Sequence, residues 1–413
     1  MIKKVTMLQQ LIVMSTLKKH SFHYTKECSY IYIISKREKV FEMKSYIVVG
    51  SGILGASTAY HLAKTGANVT IVDRQQLGQA TDAGAGIVCP WLSQRRNKAW
   101  YKIVKGGARY YSSLIQQLEE DGETDTGYNR VGAISLHTDE KKLDQMEERA
   151  YKRREDAPEI GEITRLSAEE TKKLFPALSD EYSSVHISGA ARVNGRLLRN
   201  ALISAAKKHG ATLIKGDAIL VREGNHITGV TVNDETILAE KVIVTAGAWA
   251  NEILNPLGIN FLVTFQKGQI VHLQIENTAT ENMPVVMPPN DQYILTFDNG
   301  HVVIGATHEN DTGFDHRVTA GGLHEVFHKA LAVAPGLENA TMLETRVGFR
   351  PFTPGFLPVI GPLPNFEGIL VANGLGASGL TAGPYLGAEL AKLALGKTIE
   401  LDLNDYDVAG AIE

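Results

Sequence analysis

The sequence predicts an α/β protein: a domain built on a parallel sheet, carrying an inserted domain on a mixed, mainly antiparallel sheet. Three observations lead there. An apolar run, Tyr46–Val49, runs into a glycine turn and then a helical pattern. A second strand, glycine turn and helix recur near the far end, over 368–396. Between them, two stretches (99–184 and 260–345) break the strand–helix alternation.

Residues 1–42 read differently from the rest. They contain no Gly, Ala, Pro or Asp, although the chain holds 39 glycines in 413 residues. Missing Gly, Ala and Pro together has odds on the order of 1 in 10,000 at average usage. These three residues have GC-rich codons, and Lys36-Arg37-Glu38 can be encoded by a purine-rich, ribosome-binding-like sequence just ahead of Met43. The expectation is a natural start at Met43, with 1–42 a non-native extension. A targeting segment fits less well, because Lys18 and Lys19 follow the apolar stretch where a small-residue cleavage site belongs. Eight Lys/Arg against three Glu put 1–42 at +5, which leaves the remainder at −9 of the total −4. That balance excludes a basic nucleic-acid footprint. No run approaches the roughly 18 apolar residues of a transmembrane span. Two cysteines, Cys28 and Cys89, cannot build a disulfide framework, so a reduced, cytoplasmic setting is expected, without excluding peripheral contact with the inner membrane face.

Gly50-Ser51-Gly52-Ile53-Leu54-Gly55 follows the first strand and opens a helix. Gly50 permits the tight turn, Gly52 lets a pyrophosphate approach the backbone, and Gly55 allows close helix–strand packing. The positive end of the helix faces the phosphates. Asp73 ends the next strand, 18 residues beyond Gly55, where a carboxylate can accept from ribose hydroxyls. The unit is a Rossmann-like dinucleotide site. The motif alone does not separate FAD from NAD.

Gly374-Leu375-Gly376-Ala377-Ser378-Gly379 repeats the turn, after the strand over 368–373. No acid follows at the ribose spacing, so this helix end suits an electron-rich ligand edge instead. Val242–Thr245 with Ala246–Trp249 supplies a strand and small-residue turn for the same sheet. A helix over 197–209 and strands near 212–214, 219–221 and 227–232 precede it. The parallel-sheet domain is thus expected from 43–98, 185–258 and 346–413, and the inserted domain from 99–184 and 259–345.

These segments together resemble the FAD-dependent D-amino-acid oxidase superfamily, and within it glycine oxidase and the small subunit of D-amino-acid dehydrogenase. The carriers are Gly50–Gly55 with Asp73, Thr81–Ile87, Val244–Trp249, Gly348-Phe349-Arg350-Pro351 with Pro358–Gly361, and Asn373–Pro384. The resemblance implies a cofactor site at Gly50, Gly52, Ile53, Leu54, Gly55, Asp73, Arg74, Ala80, Thr81, Ala85, Gly86 and Ile87, with Ala218 by the adenine and Gly247 nearby. Leu375, Gly376, Ala377, Ser378, Gly379, Leu380 and Thr381 would meet the flavin's pyrimidine edge. No cysteine lies near Arg350, so FAD is expected to be non-covalent.

The chemistry implied is oxidation of a small D-amino acid or glycine-like amine by hydride transfer to flavin N5. Imine hydrolysis then gives a 2-oxo acid and ammonia. Arg350 is the expected carboxylate anchor, since a guanidinium grips a carboxylate bidentately; a structural ion pair is the alternative. Tyr293 is placed to cap the substrate, or is a core aromatic. His308 falls where pocket residues occur, or is a strand-end surface histidine. Oxidation of a 2-hydroxy acid, with His308 as base, and a non-catalytic flavoprotein subunit of an electron-transfer complex remain alternatives. The electron acceptor (oxygen, a quinone or a carrier protein) and any homo-oligomer are not written in these motifs. Two departures from glycine oxidases stand out: Ala377 where they carry Arg, and Gly355 where many members carry Asp. His324-Glu325-Val326-Phe327-His328 matches H-E-x-x-H, but Glu325 points away from the expected apolar face of Leu323, Phe327, Ala330 and Leu331, so no metal is expected.

Intact mass of the endogenous protein tests the start. A chain beginning at Met43 is expected; one beginning at Met1 contradicts the reading.

Overall fold

A computed structural model describes residues 44–413. The readings made on residues 1–42, including Cys28, and the start at Met43 lie outside the described residues.

A six-stranded sheet carries the glycine turns. Its order is Val359–Pro362, Ile369–Asn373, Lys241–Val244, Ser45–Val49, Asn68–Asp73, Thr212–Lys215. All pairs are parallel except the first, which is antiparallel. The central strands are apolar throughout because both faces are covered, one by helices and the other by the three-stranded sheet of Ile219–Glu223, His226–Val232 and Glu235–Leu238 with helix Ala250–Leu254. Helix Ile53–Ala63 packs with Gly379–Ala394 and Gly195–Lys208. Three of these parallel strands end at Val49, Asp73 and Val244, and a fourth at Asn373, so their following turns gather at one carboxyl edge of the sheet. In open α/β sheets that edge is where ligands bind.

An eight-stranded sheet stands beside it, in the order Thr341–Phe352, Thr264–Gln274, His301–Gly305, Tyr293–Thr296, Val285–Met287, Ala133–His137, Ser183–Ile187, Ile163–Leu166. Every pairing is antiparallel except Val285–Met287 with Ala133–His137. The mixed, mainly antiparallel sheet is therefore present.

Three sequence expectations differ from the structure. The stretch 99–184 reads as helix-rich, yet it supplies two strands to the larger sheet, Ala133–His137 and Ile163–Leu166, and the first two residues of a third, Ser183–Ile187. Ile134-Ser135-Leu136-His137 does alternate apolar and polar residues, but the run is short and lies between two charged helices. Helix Lys98–Glu120, expected with the inserted domain, lies along Gly379–Ala394, where Tyr111 Oη donates to the Leu380 carbonyl; the expected boundary at 345/346 also falls inside the Thr341–Phe352 strand. Finally, helix Ala320–Val333 buries Gly322, Val326, Ala330 and Val333, a face rotated by about one position from the expected one. Glu325 pairs with Lys329 at 2.8 Å. Among the described residues no group of three His, Cys, Asp or Glu is arranged to hold a metal ion.

Two interior histidines make the fold acid-sensitive. His61 hydrogen-bonds the Ser57 carbonyl at 2.8 Å and the Tyr110 hydroxyl, and burial lowers it to about 4. His272 contacts His301 at 2.8 Å, and burial, then Arg346, lower it to about 3. Histidines of the unfolded chain protonate near pH 6.5. Unfolding therefore takes up protons below about pH 6.5, and stability falls as pH drops from there towards 4. Asp121 adds a lower window. Burial works to raise its carboxyl, but hydrogen bonds from Tyr60, Lys64 and His209 outweigh it and bring it from 3.8 to about 2. Its stabilisation is present above pH 3.8 and lost as pH falls through 2. The melting temperature should drop by several degrees between pH 7 and 4.5, and less in His61→Gln; a flat profile by calorimetry contradicts this.

Candidate active site

A cavity of about 410 Å³ runs along the carboxyl edge of the six-stranded sheet, from Asp73 and Arg74 at one end to Arg350 at the other. At the first end, Gly50 has φ +98°, and a Cβ there would stand 2.6 Å from the Thr245 carbonyl oxygen. Only glycine fits this turn. Asp73 accepts from Ser51 N–H (2.5 Å), Ser51 Oγ (2.9 Å), Gln75 N–H (2.5 Å) and Gln79 Nε2 (3.1 Å). Its carboxylate thus pins the glycine turn, and a ribose hydroxyl would have to replace one of these donors. Arg74 donates to Glu252 at 2.8 Å and Asp217 at 3.2 Å, with its guanidinium 5.6 Å from the Trp249 ring centre.

Helix capping shows what this cavity is built to receive. Among the described residues, five α-helices have side-chain caps: Asn97, Asp139, Ser167, Asn194 and Thr319 accept from first-turn amides. Three have none: Ile53–Ala63, Ala250–Leu254 and Gly379–Ala394. All three begin at the cavity, which Gly52, Trp249 and Gly379 line. Thr81 Oγ1 accepts the Ile53 amide at 2.9 Å and fastens the Thr81–Ile87 loop there. The next amides of that turn are left for a ligand. The start of Ile53–Ala63 at the cavity forms an anion site that fits the pyrophosphate of a flavin dinucleotide, whereas Ala250–Leu254 and Gly379–Ala394 continue from helical turns over Gly247–Trp249 and Gly376–Ser378.

At the other end, Arg350 Nη1 donates to Gln266 Oε1 (3.2 Å) and the Thr307 carbonyl (3.0 Å). No Asp or Glu of the described residues pairs with this guanidinium, so the alternative of a structural ion pair is not formed among them. Gly268 makes room for it: a Cβ would stand 2.6 Å from Nη2 and 2.8 Å from Cζ. Tyr293 lines the same end, and burial pushes its phenol up to about 12 against the opposing pull of Arg350. His308 is exposed yet borders the cavity, with Nδ1 3.6 Å from Asp291 Oδ2; burial, then Arg350, lower its pKa.

Of the residues expected from sequence, all line the cavity except Gly55 and Ser378. Gly55 packs instead, since a Cβ there would meet the Gly50 carbonyl at 1.9 Å. Ser378 Oγ turns away to accept from Trp100 Nε1 at 3.1 Å. Sequence reasoning missed Gly268, Asp291 and Gln266. A glycine inside a strand run was a usable sign of close approach at Gly268; nothing local marked the other two. Cys89 is buried outside the cavity, and burial pushes its thiol up to about 12.

The model of the FAD dependent oxidoreductase family DAO matches residues 45–393. The chain belongs to the DAO family of FAD-dependent oxidoreductases. It is 71% identical over 371 residues to a Bacillus subtilis protein named uncharacterized oxidoreductase YurR, covering 90% of this chain and all of that one. It is 30% identical over 374 residues to glycine oxidase of Pseudomonas aeruginosa, covering 89% of this chain and 99% of the relative. Among solved structures it resembles iminodiacetate oxidase of Chelativorans sp. BNC1, with 48% identity, a TM-score of 0.85, and coverage of 87% and 98%. The DAO relatives make FAD its cofactor and C–N bonds its chemistry. No helix among the described residues is long and apolar enough to cross a membrane.

Gly268→Ala should leave bound FAD unchanged yet weaken carboxylate substrates at least about tenfold, because it crowds the guanidinium that makes charge-assisted bonds. Unchanged KM with full FAD content contradicts the packing described.

Proposed function

We propose that the protein oxidises the C–N bond of a small glycine-like amine, a primary or N-carboxymethyl amino acid, held by its carboxylate on Arg350. The single observation that carries this reading is a cavity guanidinium with no acid partner among the described residues. Two of its donors are held by Gln266 and Thr307, and the others remain for a bidentate carboxylate. The 48% identity to iminodiacetate oxidase supports a glycine-like substrate over a bulkier D-amino acid.

In this reading the six-stranded sheet serves the cofactor and the eight-stranded sheet the substrate, with helix Lys98–Glu120 joined to the first unit and the whole strands Ser183–Ile187 and Thr341–Phe352 to the second. FAD, held non-covalently, supplies the two-electron acceptor. The chain supplies orientation: Arg350 fixes the carboxylate and Tyr293 closes over the substrate, so the α-carbon is presented in one pose. Water converts the resulting imine to a 2-oxo acid and the released amine, ammonia from a primary substrate. The electrons pass on to oxygen, a quinone or a carrier protein.

His308 beside Asp291 supports a second reading. Oxidation of a 2-hydroxy acid needs a base for the hydroxyl proton, and this pair is the candidate. Anaerobic mixing decides. Glycine or iminodiacetate should bleach the holoenzyme's flavin and lactate should not, and His308→Ala should slow bleaching by less than about tenfold, since general-base loss costs roughly 100-fold or more. Bleaching by lactate alone, abolished in His308→Ala, establishes the second reading; no bleaching by any of these contradicts both.

A further inference from the structure

Behind Arg350 and outside the cavity lies a polar cluster, buried at Thr307, Gln269 and Lys267 and partly exposed at Glu309 and Asp315, that the proposed chemistry does not touch. Thr307 and Gln269 are fully buried, and Lys267 is 1% exposed. Glu309 Oε1 accepts from Gln269 Nε2 and from Thr307 Oγ1, both at 2.6 Å. Thr307 Oγ1 accepts in turn from Gln269 N–H at 2.9 Å, and Thr307 N–H donates to the Gln269 carbonyl at 3.2 Å. The Gln269 side chain is clamped from the far side too: Thr319 N–H donates to its Oε1 at 2.9 Å, and its Nε2 donates to Thr319 Oγ1 at 3.0 Å. Glu309 Oε2 stands 3.6 Å from Lys267 Nζ, and the two backbones pair in both directions at 2.9 and 3.0 Å. Asp315 Oδ2 is also 3.6 Å from that ammonium.

Thr307 is therefore held at its amide and at its hydroxyl. Its remaining polar atom, the carbonyl oxygen, accepts from Arg350 Nη1 at 3.0 Å. We propose that Glu309 is a positioning residue for Arg350: it fixes Thr307, and Thr307 fixes the guanidinium plane that grips the substrate carboxylate. This rests on the reading of Arg350 as the carboxylate anchor. The physical grounds are cost and tolerance. Burying charges and amides in a strand pair is costly compared with apolar packing, so the cluster is a poor choice for stability alone. A bidentate grip tolerates only a few tenths of an ångström and some tens of degrees, which a rigid acceptor supplies and a mobile one does not.

Field and geometry predict opposite outcomes, and this makes the proposal testable. Replacing Glu309 by Leu removes a negative charge together with the acceptor of Thr307 Oγ1 and Gln269 Nε2, and on charge alone the cavity would hold anions more tightly. Losing the hold on Thr307 weakens them instead. Acetate serves as the carboxylate probe, titrated into the holoenzyme and followed by the flavin absorbance. Glu309→Leu and Thr307→Val should raise the acetate Kd and the KM for iminodiacetate by about 10- to 100-fold, the weight of one charge-assisted bond, whereas Glu309→Gln, whose amide oxygen still accepts from Thr307, should not. kcat at saturation should stay within about threefold, and Thr307→Ser, which restores the hydroxyl, should recover most of the lost affinity. A merely structural role would lower the melting temperature without moving the acetate Kd. An unchanged or tighter acetate Kd in Glu309→Leu, or a fall in kcat with KM unchanged, overturns the proposal. Arg350→Lys is run beside them. If it leaves the acetate Kd unchanged, the anchor reading itself fails; if it weakens acetate while Glu309→Leu and Thr307→Val do not, only the positioning role is lost.

Discussion

Arg350 carries a positive charge that no Asp or Glu of the described residues neutralises, and much of the molecule is arranged around that fact. A half-buried guanidinium without an anion is costly. The structure offsets part of that cost with two neutral acceptors, the Gln266 side chain and the Thr307 carbonyl, which are fixed on one side. Gly268 removes the side chain that would otherwise fill the space. In the proposed function, the incomplete solvation of this charge is the binding energy available to a substrate carboxylate.

The cofactor end follows the same logic with backbone in place of a side chain. Where helices start elsewhere, Asn, Asp, Ser or Thr satisfies their first amides. Where they start at the cavity, Gly52, Trp249 and Ser378 do not. One cavity thus has an uncapped helix start at one end and the Arg350 guanidinium at the other. The acids at the Arg74 end, Asp217 and Glu252, keep that arginine engaged with protein.

The legible part of this design was local in sequence. Gly50, Gly52 and Asp73 fall within 24 positions, and strand, turn and helix follow directly, so the spacing alone carried the geometry. Gly374–Gly379 was legible for the same reason. What sequence could not show depends on pairing across long separations. Gly268 matters because Gly348 and Arg350 lie on the neighbouring strand, and Glu309 because Thr307 and Gln269 pair beside it. The strands Ala133–His137 and Ser183–Ile187 were hidden in a charged, helix-rich stretch because their alternating runs, Ile134-Ser135-Leu136-His137 and Val185-His186-Ile187, are only a few residues long. Ser378 was misplaced into the cavity because the turn repeats a known spacing, whereas its hydroxyl is taken by Trp100.

The central claim is that the charge of Arg350 is held for a carboxylate. Its most direct test is the acetate affinity of the holoenzyme in Arg350→Met, read from the flavin spectrum at fixed ionic strength. The account predicts a loss of at least about 100-fold with FAD content intact, the order expected when a charged bidentate contact is removed. An acetate affinity equal to that of the unaltered protein would contradict it.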